Sequence, residues 1–525
     1  MITVSVAQPL TIQWQKCLGG THDEAGYRIR QTSDGGYLTC GLAISNDGNV
    51  FGNHSNQQDG WVVKLDGNGN LMWQRCYGGS DGETFYSLEL TSEQGFIVAG
   101  TSTSLDGDLV SVYHPGGQDG IWVVDCDSVG GINWQKCFGG SGEEGANEII
   151  QTSDGGYMVI GWTYSTDFDV VGLHDSIISA HYRDTWLLKL DSIGSIEWSK
   201  CYGGCWGEFG YSVVQTPDSG FVFVSSAESE NGDVQGIHGA SNGRGYEDYW
   251  IVKINDVGDI QWQKCFGGSS IDTPNDIQVT HDGGFILTGS SASSDFDVSG
   301  HHNVADVWVL KLDSVGTIQW QKCLGGSDAE FGKRIIQLID GGYLTLNATA
   351  STDGDLISNP PALVDVWLAR LDSLGNILWQ QCLGGSSIEE AFDIQLTSDG
   401  GCVFSGVTGS NDGDVSGNHG GYDMWVVKLA PLPDGVASPV NLITDFAAFQ
   451  NNISNTLGLS FYCNGNENVS VQLLDLTGRV LLQQPLSVSA GFNKKQVQTG
   501  NISTGVYLVR LATDAGAVLK KLMVQ

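Results

Sequence analysis

The stretch IQWQKCLGG at residues 12–20 returns six more times in the chain. It reads LMWQRCYGG at 71–79, INWQKCFGG at 132–140, IEWSKCYGG at 196–204, IQWQKCFGG at 260–268, IQWQKCLGG at 318–326 and ILWQQCLGG at 377–385. Its tryptophans (Trp14, Trp73, Trp134, Trp198, Trp262, Trp320, Trp379) follow one another at intervals of 58 to 64 residues. A period this long, filled with strand-like segments, predicts a propeller rather than the short turn of a solenoid. In the first period four strand candidates follow in order: YRIRQT (27–32), YLTCGLA (37–43), GWVVKL (60–65) and NLMWQRC (70–76), here termed A to D. The turns SDGG and DGNG join A to B and C to D, with Asp capping the turn and Gly taking the positive φ.

A second tryptophan marks strand C in every period: Trp61, Trp122, Trp186, Trp250, Trp308, Trp367 and Trp425. Fourteen of the 16 tryptophans thus sit at two repeated positions, where large flat rings fill the space between stacked sheets. The chain enters on a D strand at Trp14 and its last repeat stops after a C strand at Leu429. The expected fold is all-β: a seven-bladed β-propeller over 11–430, closed by the N-terminal strand, which leaves no blade edge exposed. A linker at 431–441 and a small C-terminal β-sandwich at 442–525 follow. Residues 1–10, ending in VSVAQPL, read as the remnant of a signal peptide.

The formal net charge of -36 excludes a nucleic-acid or anionic-lipid partner and suits cations. No run is apolar enough to span a membrane. Of the 12 cysteines, seven (Cys17, Cys76, Cys137, Cys201, Cys265, Cys323, Cys382) occupy one repeated place, too far apart in a repeat array for disulfides, and read as small buried hydrophobes. Cys201 and Cys205 are the one pair close enough in sequence to bridge. Most basic residues of the repeats fall at one place in strand C (Lys64, Lys189, Lys253, Lys311, Arg370, Lys428) or one in strand D. There they cover apolar surface and pair with turn carboxylates.

Polar clusters concentrate in the D–A and B–C loops, which a propeller places on one face. The D–A loops supply Glu24, Glu83, Glu143, Glu208, Asp272, Glu330 and Glu389, so that face is expected to be strongly negative. The B–C loops place two hard oxygen ligands two residues apart: Asp47 with Asn49, Asp106 with Asp108, Asp167 with Asp169, Asp295 with Asp297, Asp353 with Asp355, and Asp412 with Asp414. Five beyond the second comes a His in most blades (His54, His174, His238, His302, His419), with His114 shifted by one. Paired oxygens on a Gly-bearing loop suit calcium. The plainer reading is an Asx-type turn, with the His bonding the loop.

Departures from the repeat carry more information about function. Blades three and four have the longest B–C loops, and the two tryptophans outside the repeat, Trp162 and Trp206, lie there with Tyr182, Arg183, Arg244 and Tyr246. Aromatic rings beside polar groups are the chemistry of a sugar-binding surface; packing of the longer loops is the alternative. No nucleophile elbow, zinc motif or phosphate loop occurs, so no catalytic residue is assigned.

The segment 469–525 alternates strands with Gly-bearing turns, as a small sandwich does. The stretch LLDLTGRVL (473–481, with Asp475, Gly478 and Arg479), GFNKKQVQTGNISTGVYLVRL (491–511, with Gly505, Tyr507 and Arg510) and the ending KKLMVQ together resemble the type A C-terminal sorting domain of the Bacteroidetes type IX secretion system. The usual Pro-Asn-Pro start is replaced by DFAAFQNNISNTLGLSF (445–461). The repeats also resemble those of other secreted Bacteroidetes proteins. The resemblance implies export and surface attachment or release, with the secretion machinery as partner. The Asp-Ser-apolar turns at Ser128, Ser192, Ser314 and Ser373 resemble the O-glycosylation signal of the same bacteria; a plain turn is the other reading. The reading that follows is a secreted binding or adhesion module for polysaccharide or a surface partner, with a polysaccharide-degrading enzyme or a surface-layer component as alternatives.

Overall fold

The structure is a computed structural model. It describes residues 10–55, 57–91, 95–109, 119–174, 182–240, 244–357, 363–431, 443–451, 456–463, 468–474, 479–488, 491–500, 503, 505–513 and 516–524. Apart from the hairpin 397–401, the chain divides into two compact units, 1–396 with 402–434, and 435–525.

The first unit repeats one four-stranded antiparallel sheet. In sheet I the strands are Glu24–Gln31, Tyr37–Ala43, Asp59–Leu65 and Leu71–Tyr77, hydrogen-bonded in that order. Sheets II to VI repeat the A-B-C-D order, beginning at Glu83, Glu144, Glu208, Asp272 and Glu330. The last sheet, VII, joins Glu389–Leu396, Cys402–Thr408 and Asp423–Leu429 to the N-terminal strand Ile12–Leu18. Strand B falls where the sequence places it. Strand A begins three residues earlier, so Glu24 is its first residue and not part of a loop. A bulge follows in every A strand, between Gly26 and Arg28 in sheet I, and re-aims the next side chains.

The nine-residue motif is explained by what each letter touches. The strand-C tryptophans are fully buried between sheets. Each such ring removes about 200 Å² from water, worth roughly 5 kcal/mol before entropy is charged against it. A buried indole N–H needs an acceptor, and the Gln after the motif Trp supplies it: Trp61 Nε1 donates to Gln74 Oε1 at 2.7 Å and Trp308 Nε1 to Gln321 Oε1 at 2.8 Å. Where the motif reads WSK, Ser199 Oγ accepts from Trp186 Nε1 at 2.9 Å. In sheet VII the acceptor is Gln15 Oε1, 3.0 Å from Trp425 Nε1. The motif Trp itself lies against the C–D turn of the next sheet, as Trp14 Nε1 shows by donating to Gly67 O at 3.2 Å. The two glycines leave room for carboxylates. A Cβ on Gly19 would meet Glu24 Oε2 and come within 2.8 Å of Asp423 Oδ1.

Neighbouring sheets share apolar clusters. Ile97, Ala99 and Val123 of sheet II pack with Ile149, Val159 and Trp186 of sheet III. Val403, Met424 and Val426 of sheet VII pack with Ile29, Trp61 and Val63 of sheet I. All motif cysteines are free and buried or half-buried, and burial pushes the Cys17 thiol up to about 12. Cys201 and Cys205 are also free thiols, so the bridge considered for them does not form.

The second unit has a three-stranded sheet (Ile443–Asn451, Thr456–Cys463, Gly491–Gln498) and a four-stranded one (Val480–Ser487, Asn468–Leu474, Gly505–Thr513, Gly516–Val524). Leu457, Leu459 and Phe461 from the first meet Val469, Val471 and Val509 from the second in one core, as in a sandwich.

Candidate functional site

The acidic residues expected to make the loop face negative are largely buried. Glu24, Glu83, Glu208, Asp272, Glu330 and Glu389 are at most 1% exposed, and in sheet III the equivalent is the buried Glu144, while Glu143 is exposed. Each folds its carboxylate back onto the Gly-Gly turn: Gly79 N donates to Glu83 Oε2 at 2.9 Å and Gly268 N to Asp272 Oδ2 at 2.7 Å. Burial pushes the carboxyls of Glu24, Glu83, Glu144 and Glu330 up, and those of Glu208 and Asp272 to about 8 and about 6.

The B–C loop His residues bond a second buried acid at the start of strand C. His54 Nδ1 lies 2.6 Å from Asp59 Oδ2, His238 Nδ1 2.8 Å from Asp248 Oδ2, and His302 Nδ1 2.8 Å from Asp306 Oδ2. On the other side of the ring His238 Nε2 stands 3.5 Å from Asp297 Oδ2 in the next sheet. Sequence reading left these strand-C aspartates aside, because each looks like the ordinary polar edge of a strand. His114 lies outside the described residues.

The six loop pairs considered for calcium are occupied with backbone amides. The first member takes the amide after Gly-Gly: Thr21 N to Asp47 at 2.8 Å, Ser80 N to Asp106 at 2.7 Å, and Ser141, Ser269, Ser327 and Ser386 N to Asp167, Asp295, Asp353 and Asp412 at 2.8 Å. The second takes the amide of the first Gly: Gly19 N to Asn49 at 3.3 Å, Gly267 N to Asp297 at 3.4 Å, and Gly78, Gly139, Gly325 and Gly384 N to Asp108, Asp169, Asp355 and Asp414 at 3.2 Å. Among the described residues, no group of three or more His, Cys, Asp or Glu side chains is placed to hold a metal ion. Through these hydrogen bonds the pairs join B–C loops to D–A loops.

Behind the A-strand bulges lies a charged cluster that the sequence did not reveal. Arg28 pairs with Glu148 and, at 3.4 Å, with Asp393. Arg334 reaches Asp276 at 2.9 Å, Asp393 at 3.4 Å and Glu148 at 3.6 Å, and Arg30 reaches Asp393 at 2.8 Å. The carboxylates also accept amides from other sheets: Val213 N donates to Glu148 at 2.8 Å and Ile29 N to Asp393 at 3.0 Å. The A strands of sheets I, III, V, VI and VII thus meet on one desolvated network. Aromatic rings stand beside it at the bulge positions. Tyr27 is 5.1 Å from Tyr86 and 5.0 Å from Phe392, centroid to centroid, and Lys333 Nζ is 5.7 Å from the centroid of Phe392.

The six residues singled out for ligand binding form two stacks and an outlier. Trp162 stacks on Phe209 at 6.0 Å, and the Arg183 guanidinium covers the other ring at 4.5 Å. Tyr182 meets Trp206 at 5.0 Å, and Arg244 lies over Trp206 at 4.9 Å while Nη2 holds Glu228 Oε2 at 2.6 Å. Trp206 Nε1 is buried, with no hydrogen-bond partner among the described residues. Tyr246 is 57% exposed and borders, with Arg244, Glu228, Glu247 and Ile271, a cavity of about 550 Å³. Phe209, and Tyr211 at 4.8 Å from it, were missed because they lie in an ordinary A strand.

In the second unit, Tyr507 is buried and its hydroxyl donates to Ser503 O at 2.9 Å. Gly505 opens the strand Gly505–Thr513, and Arg479 is exposed just before Val480–Ser487. Asp475 and Gly478 lie outside the described residues. Ser128, Ser192, Ser314 and Ser373 are all exposed in C–D turns.

These features define an all-β protein built on a repeated four-stranded antiparallel sheet. Residues 451–525 match the family described as the secretion system C-terminal sorting domain. That domain directs the chain through the type IX secretion machinery, and the protein is secreted or attached to the cell surface. Among the described residues no helix is long and apolar enough to cross a membrane. No curated protein matches the sequence significantly. Among solved structures, the chain is similar to a puromycin hydrolase (9% identity, 87% of this chain and 62% of that one, TM-score 0.44). It is also similar to a fungal alcohol oxidase of the AA5 family in complex with copper (11%, 98% and 100%, TM-score 0.42) and to Sqt1 from Chaetomium thermophilum (11%, 81% and 100%, TM-score 0.39). Similarity at this level assigns no activity to this chain.

Proposed function

We propose that the repeated sheets are the blades of a closed seven-bladed propeller, bounded near residues 11 and 430, and that it serves outside the cell as a binding or adhesion module for polysaccharide. Closure is supported by sheet VII, which takes a strand from each end of the repeat region, and by Arg28, which pairs with carboxylates of two other sheets. The binding reading rests on one observation. The rings and guanidinium groups of Trp162, Phe209, Arg183, Tyr182, Trp206 and Arg244 collect at sheets III and IV, where the repeat is broken, and such rings offer flat faces to the C–H surface of a sugar.

The test is binding of the full chain to a polysaccharide panel, with calcium and after chelation, beside Trp162→Ala and Trp206→Ala. The reading expects binding to one glycan class, weakened at least about tenfold by either variant at unchanged thermal stability, and no loss on chelation. No binding to any glycan, or variants that bind as the parent does, would overturn it. Depolymerisation of the bound glycan would favour an enzyme instead.

A further inference from the structure

The bulge in every A strand inserts one extra residue at the same repeated place. Four of the seven inserted residues are aromatic: Tyr27, Tyr86, Tyr211 and Phe392. All seven are half-buried, between strand neighbours that are buried, Arg334 apart. The Tyr27 ring stands 5.1 Å from Tyr86 and 5.0 Å from Phe392. The inserted residue of sheet VI, Lys333, holds its Nζ 5.7 Å from the rings of both Phe331 and Phe392 and pairs with Glu390 Oε1 at 2.6 Å. Those of sheets III and V, Asn147 and Asn275, donate from Nδ2 to Gly210 O at 2.6 Å and Gly332 O at 2.7 Å, which leaves Oδ1 to accept. In the closed arrangement proposed above, these side chains form a collar around the line on which the A strands converge.

The next residue of each strand makes the floor of that collar. Arg28 of sheet I pairs with Glu148 of sheet III, and Arg334 of sheet VI reaches the same Glu148 at 3.6 Å. Neither sheet I nor sheet VI is next to sheet III in the repeat, so these pairs cross the space between the A strands and block it. Arg28, Glu148, Asp276 and Asp393 are buried, and each is paired with an opposite charge. A chain molecule that enters the collar stops at this floor and meets it with an end. The collar itself offers no unpaired charge among the described residues: Lys333 is held by Glu390, and burial pushes the hydroxyls of Tyr27 and Tyr86 up and that of Tyr211 to about 12, so the tyrosines stay neutral. A uronate or sulfated sugar would lose its hydration there without gaining a cation, on a chain of net charge -36. Half-buried rings beside amide oxygens suit the C–H faces and hydroxyls of a neutral sugar. Tyr211 lies 4.8 Å from Phe209, which stacks on Trp162, so the collar continues outward into the first aromatic stack. We propose that the collar binds the terminal residue of a neutral glycan end-on, with the rest of the chain leaving over Phe209 and Trp162. This rests on the polysaccharide reading and adds to it the class of glycan and the part of it that is recognised.

The experiment is calorimetric titration of the full chain with size-defined fractions of amylose, xylan, mannan and laminarin, with their hexaoses, and with hexagalacturonic acid. One neutral class should bind with one protein per glycan chain whatever the chain length, and hexagalacturonic acid should not bind. Tyr27→Ala and Phe392→Ala should each weaken hexaose binding about tenfold at unchanged thermal stability. The stoichiometry is read on the unaltered protein, so it decides the matter even where a variant fails to fold. Several proteins on each long chain, binding of hexagalacturonic acid instead of a neutral hexaose, or collar variants that bind as the parent does while Trp162→Ala is impaired would overturn the end-on inference and leave the polysaccharide reading standing. Binding of no glycan would overturn both.

Discussion

His174 Nδ1 lies 2.7 Å from Asp184 Oδ2, and its Nε2 stands 3.6 Å from Asp233 Oδ2 of the next sheet. One imidazole thus links a buried acid of sheet III to a loop of sheet IV. The hydrogen bond to Asp184 holds the His174 pKa above its ordinary value, against the opposing effect of burial. His238 is raised in the same way by Asp248. A histidine raised on folding contributes stability that is complete below about 6.5 and is lost as pH rises through the folded value. The buried acids act in the same direction. Glu208, pushed to about 8 by burial, keeps its proton in the native state over a range where the unfolded chain would release it. At the acid end, Asp34, Asp154 and Asp282 are held down at about 2, through bonds from Thr and Lys that overcome burial, and their contribution is lost only as pH falls through that value. Thermal unfolding followed by calorimetry should therefore give a higher midpoint at mildly acidic than at mildly alkaline pH. A midpoint that rises from pH 5.5 to 8.5 would contradict these assignments.

Asp365 of sheet VI is the counterpart of Asp184, but the sequence around 358–361 has no His to meet it. Burial, then Glu389 and Asp414, pushes its pKa up to about 7. It folds as a neutral acid, and its stabilising effect fades as pH rises from about 4 towards 7. Asp365→Asn should leave stability at pH 5 within about 1 kcal/mol of the parent and make the protein more stable above pH 8. Asp184→Asn should be destabilising at both, because it breaks the pair with His174. Equal effects of the two substitutions in chemical denaturation would refute the distinction.

Arg28 is 2% exposed between Glu148 and Asp393. Truncating one partner of a desolvated ion pair costs about 3–5 kcal/mol, mostly from the charges left behind. Arg28→Met should lower the unfolding free energy by that order. The triple variant Arg28→Met, Glu148→Gln, Asp393→Asn should recover part of the loss, and a double-mutant cycle with no coupling would show that the network does not hold the sheets together.

Phe296 adopts φ 51°, in the left-handed region, with its ring 67% exposed. The equivalent residues Gly48, Gly107, Gly232, Gly354 and Gly413 lie at φ 62° to 70°, and only Phe168, at 55°, breaks the glycine rule as Phe296 does. A side chain in that conformation costs about 1–2 kcal/mol. Phe296→Gly should therefore stabilise the protein by about 1 kcal/mol. A variant no more stable than the parent in chemical denaturation would contradict this.

The period, the strands within it and the buried rows of tryptophan were all legible in the sequence, because they depend on local alternation and on one motif repeated in place. The sorting domain was legible for the same reason: its motif is continuous along the chain. The acids of the Gly-Gly turns were visible but misplaced, since strand A begins at Glu24 and carries the carboxylate inward, where glycine leaves room for it. The charged network could not be read at all. Arg28, Ser87, Glu148, Ser212, Asp276, Arg334 and Asp393 occupy one repeated position yet show no pattern in order, because each is chosen to suit residues in other sheets. Local sequence determined what each strand is; only the packing of distant strands, which sets distance and dielectric between their side chains, decided which of their charges meet.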